Sequence, residues 1–334
     1  MIHDAVPDRA RAGARHIVRH CGGLAEDEPV LVIGSEDAVA VAHLLAAEAR
    51  ATGARVTEMV IPPAPMHGTE PPPAVAEAML RARLIIAATS KSLAHTTARV
   101  NAAAAGARFL SMPDFSLDLL AAEDVMVDYM ALHGAVRRVA DRLAGARDLR
   151  VSSRQGTRMS LQAEGRVGNC CPGYVRGPGD LGSPPDIEAN VSPIETASEG
   201  RIVVDGSIAH PSIGVLAEPV TLWVEGGFLR EWEGPGSVLD ALSALFAGRS
   251  DKAKVLAECG LGMNPKARLR GLMLTDEGCA GGVHFGFGSN ATVGGLNAVD
   301  FHLDFCTREA TLTVDGEAVL EDGIFAPWVG FPQP

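Results

Sequence analysis

The chain has 334 residues, of which 47% are hydrophobic and 21% are charged, and its formal net charge is −12. This composition is typical of a folded globular protein and excludes a disordered chain. The negative charge argues against nucleic acid as a partner, because the phosphate groups would be repelled. The length exceeds what one hydrophobic core usually supports, so we expect two domains.

The sequence also indicates the cellular compartment of the protein. No run of the sequence approaches the roughly 18 apolar residues of a membrane-spanning helix, and the start of the chain lacks the apolar stretch of a secretory signal. The six cysteines form no C-x-x-C pair, so neither a zinc ribbon nor a disulfide framework is indicated. We therefore expect a cytoplasmic homodimer with reduced thiols and with no membrane or nucleic-acid partner.

Helical and strand patterns alternate along the first part of the chain. Helices are predicted over residues 4–21, 38–51, 73–82, 94–105 and 129–143. Buried strands are predicted over residues 29–34, 55–61, 84–88 and 108–111. This alternation predicts a doubly wound parallel sheet, and hence a Rossmann-like α/β domain over residues 1–145. The turn at 35–37 lacks the G-x-G-x-x-G of a dinucleotide site, so we interpret it as a helix cap.

The pattern changes from residue 146 onwards, where short β-like runs are separated by glycine turns. Strands are predicted over residues 149–153, 158–162, 201–204, 220–224 and 310–320, and helices over 238–246 and 251–257. These runs predict a mainly β (α+β) metal-binding domain over residues 146–334. The stretch 168–193 is rich in glycine and proline and predicts an irregular lid or binding loop.

A His-x-Asp element near the end of the chain suggests a metal site. If 301–305 is a strand, its two-residue period places His302 and Asp304 on one face and the apolar residues on the other. His284 lies in a similar alternation, and glycines around it leave room for a ligand or a second strand. Imidazole and carboxylate groups bind zinc, iron or manganese. A histidine on a half-buried strand can also be a hydrogen-bonded core residue, so both interpretations stay open.

Further carboxylates accompany these histidines. Glu258 stands two residues before a Gly-Leu-Gly turn. The dipole of a preceding helix would disfavour an anion there, and a bound metal would remove that conflict. Glu188 lies in a proline-flanked segment, and the pair Asp276 and Glu277 leads towards His284. Glu188 is a candidate ligand and Asp276 a candidate base, and the pair Asp276 and Glu277 could also only shape a turn.

Taken together, these motifs resemble the M29 family of metal-dependent aminopeptidases, the aminopeptidase T and S group. That family has a Glu before Ser-Pro or Ala-Pro, a Glu before G-x-G-x-N-P, a His after D-E-x-x-x-G-x-x-H, and a final H-x-D. The resemblance covers most of the chain and implies a two-metal hydrolase. The metal ligands that it implies are Glu188, Glu258, His284, His302 and Asp304. Glu195 or Glu199 could take the place of Glu188.

A second group is also similar, the single-iron 2,5-dihydroxypyridine 5,6-dioxygenases. Their H-x-G-x-G-x-x-P-x-A, N-x-x-V-G-G and C-H-L-D elements resemble residues 258–267, 290–295 and 302–304. Glu258 stands where that group has an iron-binding His. This alternative implies one Fe(II) held by His284, His302 and Asp304. A non-catalytic metal-binding protein is a third alternative.

The extra carboxylates favour the hydrolase with two divalent ions, zinc, manganese, cobalt or magnesium, and with Glu258 as the bridging catalytic carboxylate. Glu195, Glu199 or Asp276 would serve as the general base. The resemblance implies substrate contacts at Ser92, His95 and Asn290. Ala291 replaces a tyrosine of the peptidases, so we expect a small amide, lactam or heterocycle as substrate more than a short peptide.

Overall fold

The computed structural model describes residues 6–332, and this part of the chain divides into two compact units. Unit 1 comprises the chain up to Tyr129 together with Gly173–Pro185, and unit 2 comprises Met130–Pro172 and the residues from Asp186 onwards. The parallel sheet of unit 1 and the antiparallel sheets of unit 2 confirm the predicted α/β fold class. The domain boundary predicted after residue 145 stays a prediction.

The secondary structure comprises short helices and many strands. The α-helices are α1 (Asp8–His16), α2 (Val39–Arg50), α3 (Pro73–Met79), α4 (Thr97–Ala104), α5 (Leu117–Leu120), α6 (Tyr129–Leu143), α7 (Gly236–Phe246) and α8 (Met273–Asp276). Strands of the first half are β1 (Pro29–Ser35), β2 (Arg55–Ile61), β3 (Leu84–Ala88), β4 (Arg108–Ser111), β5 (Leu149–Ser153), β6 (Arg158–Leu161) and β7 (Gly168–Cys171). Those that follow are β8 (Leu181–Gly182), β9 (Glu188–Val191), β10 (Glu199–Val204), β11 (Ser207–Ile208), β12 (Gly214–Val215), β13 (Val220–Glu225), β14 (Phe228–Glu233) and β15 (Leu256–Gly262). The last are β16 (Val283–Gly288), β17 (His302–Cys306), β18 (Ala310–Val314), β19 (Glu317–Glu321) and β20 (Ile324–Phe325).

Unit 1 contains a five-stranded parallel sheet in the order β2-β1-β3-β4-β8. Its central strands are apolar along their whole length because both faces are buried, as in β3, where every residue is buried. The four strands predicted for this region are therefore confirmed. Of the helices in residues 6–332, none combines the length and apolarity that a membrane crossing requires.

Helix boundaries in unit 1 differ from those predicted. Helix α4 begins at Thr97 and not at residue 94, because the Thr96 hydroxyl caps it by accepting a hydrogen bond from the Arg99 N–H at 3.2 Å. The helix predicted over 4–21 is α1, which continues as a π-helical turn, Ile17–Cys21. Residues 4 and 5 of that prediction lie outside the described part of the chain.

Unit 2 contains two antiparallel sheets. One has eight strands in the order β14-β13-β10-β6-β5-β18-β19-β20, and the other has seven in the order β12-β11-β17-β16-β15-β9-β7. The irregular loop predicted over 168–193 is wrong in part, because it contains β7, β8 and β9, and β9 gains its hydrogen bonds from β15 and β7. The helix predicted over 251–257 is also wrong, since a 3-10 turn, Asp251–Lys254, leads directly into β15.

Candidate metal centre

The seven-stranded sheet of unit 2 brings the predicted ligands together. Cross-strand partners lie on the same face of a sheet. In the register of this sheet, Glu188 is opposite Gly262, Glu258 is opposite Gly286, and Asp304 is also opposite Gly286. The residues that share this face are Glu188 on β9, Glu258 on β15, His284 on β16, and His302 and Asp304 on β17.

Two groups of possible ligands share one carboxylate. Glu188, Glu258 and His284 form the first group, and Glu258, His302 and Asp304 form the second, with the donor atoms of each group within 4.8 Å of one another. Glu258 Oε1 lies 3.8 Å from His284 Nε2, and Glu258 Oε2 lies 3.6 Å from His302 Nε2. The two oxygens of one carboxylate therefore face different histidines. The trio expected for a single iron, His284, His302 and Asp304, is not one of the groups found among residues 6–332.

Glycines open the space that these side chains occupy. A Cβ added at Gly286 would lie 2.7 Å from His302 Nε2 and 2.8 Å from Asp304 Oδ1. A Cβ at Gly260 would overlap the imidazole of His284. The glycines of β15 and β16 therefore leave a cradle for the ligands, as the sequence predicted for β16.

The opposite face of the same strands is apolar. Phe287 and Phe305 pack edge to face with ring centroids 5.4 Å apart, and Leu303 is 3% exposed. The predicted division into a ligand face and a packing face is therefore observed. The strand begins at His302 and not at Phe301, whose ring packs against Phe246.

The carboxylates of Glu188, Glu258 and Asp304 stabilise positive charge on the two histidines of the cluster. Burial opposes the charged form of His284, but Glu188 and Glu258 hold its pKa well above the ordinary value. Burial also opposes charge on His302, yet Asp304 and Glu258 raise its pKa to about 10. The pKa of Asp304 falls to about 2 despite burial, chiefly through the charge of His302. Such mutual stabilisation is the electrostatic condition for binding a cation.

Two further acids, Asp186 and Glu277, line the cluster. Burial raises the pKa of each well above its ordinary range, and the neighbouring carboxylates Glu188 and Asp304 add to the rise. Asp186 Oδ1, Glu277 Oε1 and His284 Nδ1 are buried without a hydrogen-bond partner. Burying unpaired polar atoms costs about 1–3 kcal/mol each. A divalent cation would offset this excess of negative charge, so the residues fit a metal site.

The two acids of the Asp276–Glu277 pair lie in different surroundings, and the role of general base predicted for Asp276 stays a prediction. Asp276 is held in the turn before it, where its carboxylate accepts hydrogen bonds from Arg270 N at 2.7 Å and Gly271 N at 2.8 Å. Glu277 instead hydrogen-bonds Asp304. Asp186 was also missed, although its two-residue spacing from Glu188 is a signal that strand periodicity could have supplied.

The other predicted bases lie in structural hydrogen-bond networks. Glu195 forms an ion pair with Arg166 and accepts hydrogen bonds from Asn290 Nδ2 at 2.9 Å and Leu296 N at 2.7 Å. Glu199 accepts a hydrogen bond from Gly226 N at 2.7 Å in an exposed position. These contacts give both carboxylates a structural explanation, and a role as general base stays a prediction.

The predicted substrate contacts are spread over both units. Asn290 is buried in unit 2, and its amide also accepts a hydrogen bond from Asn297 N at 2.7 Å. Ser92 and His95 follow β3 in unit 1, where Ser92 is buried and its hydroxyl lies 3.1 Å from Ser111 Oγ. His95 is exposed. A role for these residues in substrate binding stays a prediction.

The chain as a whole, and not only the ligand motifs, is similar to a known protein family. A family model described as 2,5-dihydroxypyridine 5,6-dioxygenase, NicX, matches residues 13–327, nearly the whole chain. The chain belongs to the NicX family. The relationship to NicX and M29 proteins that the site motifs indicated is thereby confirmed.

Two solved structures share the fold of this NicX-family chain. The 2,5-dihydroxypyridine dioxygenase from Pseudomonas putida KT2440 matches with a TM-score of 0.78 at 20% identity, over 95% of this chain and 96% of that one. Wild-type AmpT from Thermus thermophilus matches with a TM-score of 0.68 at 17% identity, over 96% and 100%. At these identities the two likenesses show the fold, and the family model, described as a dioxygenase, supports an enzymatic role. A search of curated proteins found no significant match.

Proposed function

We propose that this protein is a metal-dependent hydrolase with two divalent ions, which acts on the amide bond of a small molecule. The observation that supports the proposal is the position of Glu258 between the two ligand groups. A carboxylate in this position can neutralise two dications that would otherwise repel each other at short range.

The proposed ligands divide between the two ions. Glu188 and His284 would hold one ion, His302 and Asp304 the other, and Glu258 both. This oxygen-rich set suits zinc, manganese, cobalt or magnesium. Ions held there would lower the pKa of a water molecule and polarise the carbonyl of the substrate.

The chain must also supply a group that moves a proton. Glu277 is the best placed of the acids around the cluster, because it contacts the ligand Asp304 and has a buried oxygen, Oε1, without a hydrogen-bond partner. In this role it would accept a proton from the attacking water and pass it to the leaving amine. We assign this function to Glu277 in preference to Glu195, Glu199 and Asp276.

The substrate class rests on a difference from the peptidases. Ala291 stands where those enzymes have a tyrosine, so a hydroxyl that could stabilise a developing oxyanion is missing. Loss of one such donor costs about 10²-fold or more in rate. We therefore expect weak turnover of leucyl peptides and better turnover of a small amide, lactam or nitrogen heterocycle.

Ring-cleaving dioxygenase activity is the second candidate, and the family match and the first structural relative favour it. One Fe(II) would then be held by Glu258, His302 and Asp304, a group with one histidine and two carboxylates. Glu188 and His284 would have no ligand role in that enzyme. Their burial beside Glu258 is better explained by a second ion.

A substrate panel separates the candidates. Protein loaded with Zn²⁺, with Mn²⁺ or, anaerobically, with Fe²⁺ is assayed on dipeptides, small cyclic amides and dihydroxypyridines. We expect hydrolysis of a cyclic amide by the zinc or manganese form, and its loss in Glu277→Gln with the metal content unchanged. Oxygen-dependent ring opening by the iron form would support the dioxygenase instead. Efficient dipeptide cleavage would contradict the proposed substrate class.

A further inference from the structure

The side chain of Glu188 is held by two asparagines. We propose that Asn190 is a positioning residue that fixes the orientation of the Glu188 carboxylate towards the metal centre, and that Asn169 in turn fixes Asn190. This inference rests on the metal centre of the proposed function. It adds two residues that the ligand motifs do not contain.

The contacts form a continuous chain of hydrogen bonds. Asn190 Nδ2 donates to Glu188 Oε1 at 2.7 Å. Asn169 Nδ2 donates to Asn190 Oδ1 at 2.8 Å and to the Val293 carbonyl at 3.0 Å. Asn169 and Asn190 are cross-strand partners in β7 and β9, so the sheet register sets their separation.

The chemistry of the groups dictates the direction of the chain. An ionised carboxylate only accepts hydrogen bonds, so the amide nitrogen of Asn190 must face Glu188. The amide oxygen of Asn190 then faces Asn169, which supplies the donor that this oxygen needs. Asn169 is itself oriented by the Val293 carbonyl, which can only accept. A single arrangement of the two amides therefore satisfies every partner.

This arrangement leaves Glu188 with one oxygen for a metal. Oε1 is occupied by Asn190, while Oε2 is buried without a hydrogen bond and lies 3.0 Å from His284 Nε2. Asn190 is only 2% exposed, so solvent does not readily replace its amide. Without Asn190 the carboxylate would be free to rotate, and the ion in the group of Glu188 and His284 would lose a fixed ligand. The ion in the group of His302 and Asp304 would keep its ligands.

The test is a metal titration of four proteins: wild type, Asn190→Ala, Asn169→Ala and the double variant. Competition with a chromophoric chelator gives the Zn²⁺ dissociation constant of each of the two sites. Partners that orient a metal ligand typically contribute about 10- to 100-fold in affinity. We expect Asn190→Ala to weaken one site by that factor and leave the other unchanged. We expect Asn169→Ala to weaken the same site by a smaller factor.

The double variant and a control exclude a general loss of structure. Because Asn169 acts through Asn190, the double variant should bind no more weakly than Asn190→Ala alone. Thr157→Val removes a buried hydroxyl that hydrogen-bonds the backbone of Val203 in the other sheet of unit 2. This control should leave both affinities unchanged. If Asn190→Ala does not fold, Asn169→Ala still decides, because this residue is only half-buried.

Three results would count against the inference, and they differ in meaning. If wild type binds two ions and Asn190→Ala and Asn169→Ala bind both with unchanged affinity, the positioning role is wrong and the proposed function survives. If wild type binds no zinc or manganese, the metal centre and the inference fail together. Additive losses in the double variant would show that Asn169 does not act through Asn190.

Discussion

Gly286 lies directly opposite Glu258 in the register of β15 and β16, at the centre of the ligand face. A methyl group at position 286 would meet His302 Nε2 and Asp304 Oδ1 at 2.7 and 2.8 Å, closer than van der Waals contact allows. The absence of a side chain at Gly286 therefore makes room for His302 and Asp304 of the second ligand group.

We expect Gly286→Ala to displace His302 and Asp304 and to lower the metal content to about one ion per chain. Equilibrium dialysis followed by elemental analysis measures this. Gly236→Ala at the start of α7 is the matched control, because a Cβ there meets nothing within 4 Å, and it should bind metal as wild type does. Unchanged metal content in Gly286→Ala would show that its methyl group is accommodated.

The ligand and packing faces of β17 should separate in their effects. His302→Ala should lose one ion while the metal-free protein keeps its fold, because the His302 side chain is 32% exposed and lies on the ligand face. Leu303→Ala should cost about 2–5 kcal/mol, because Leu303 is buried on the apolar face. Urea unfolding and metal analysis of both variants test this. Full metal retention by His302→Ala would contradict its assignment as a ligand.

Glu195 should contribute stability that depends on pH. Burial opposes its ionisation, but the Leu296 N–H, Asn290 and Arg166 together hold its pKa below the ordinary value for a glutamate. Because the folded-state pKa is the lower one, the contribution is fully present above about pH 4.5 and is lost as the pH falls through the folded-state value. Glu195→Gln should be less stable than wild type at pH 7, by about 1.5–3 kcal/mol.

Urea unfolding of wild type and Glu195→Gln across the acid range measures this contribution. We expect the difference between the two free energies of unfolding to shrink as the pH drops below about 4.5, the ordinary pKa of a glutamate. A difference that is constant with pH would show that the charge of Glu195 is not what stabilises this network.

The parallel sheet could be predicted from sequence because its signal is local. A strand buried on both faces is a continuous apolar run, as in β1 and β3. Gly53 and Gly106 follow the ends of α2 and α4 and mark those ends in the sequence. The strands of the metal centre lack that signal. Gly260 and Gly262 lower the β-propensity of β15, and the reason for Gly260 is the imidazole of His284 on the neighbouring strand. That contact depends on a pairing that the local sequence does not reveal.

The candidate ligands could be predicted one by one, but their grouping could not. Residue types and the period of two identified His302 and Asp304 as partners on one face. The link from Glu258 to both histidines arises from the register of three strands, which the sequence leaves open. The buried acids Asp186 and Glu277 were missed for the same reason. Asp186 lies two residues before β9 and Glu277 directly follows α8, so neither belongs to a strand of the sheet.

The carboxylate of Glu258 belongs to both ligand groups. The number of metal ions bound per chain by Glu258→Gln and by wild type tests whether it holds two ions. Each protein is stripped with chelator, reloaded with Zn²⁺ or Mn²⁺, separated from unbound metal and analysed for metal per chain. We predict two ions per chain for wild type and at most one tightly bound ion for Glu258→Gln, because the amide cannot neutralise two dications. Two ions retained by Glu258→Gln at wild-type affinity, or a single ion in wild type, would contradict the account.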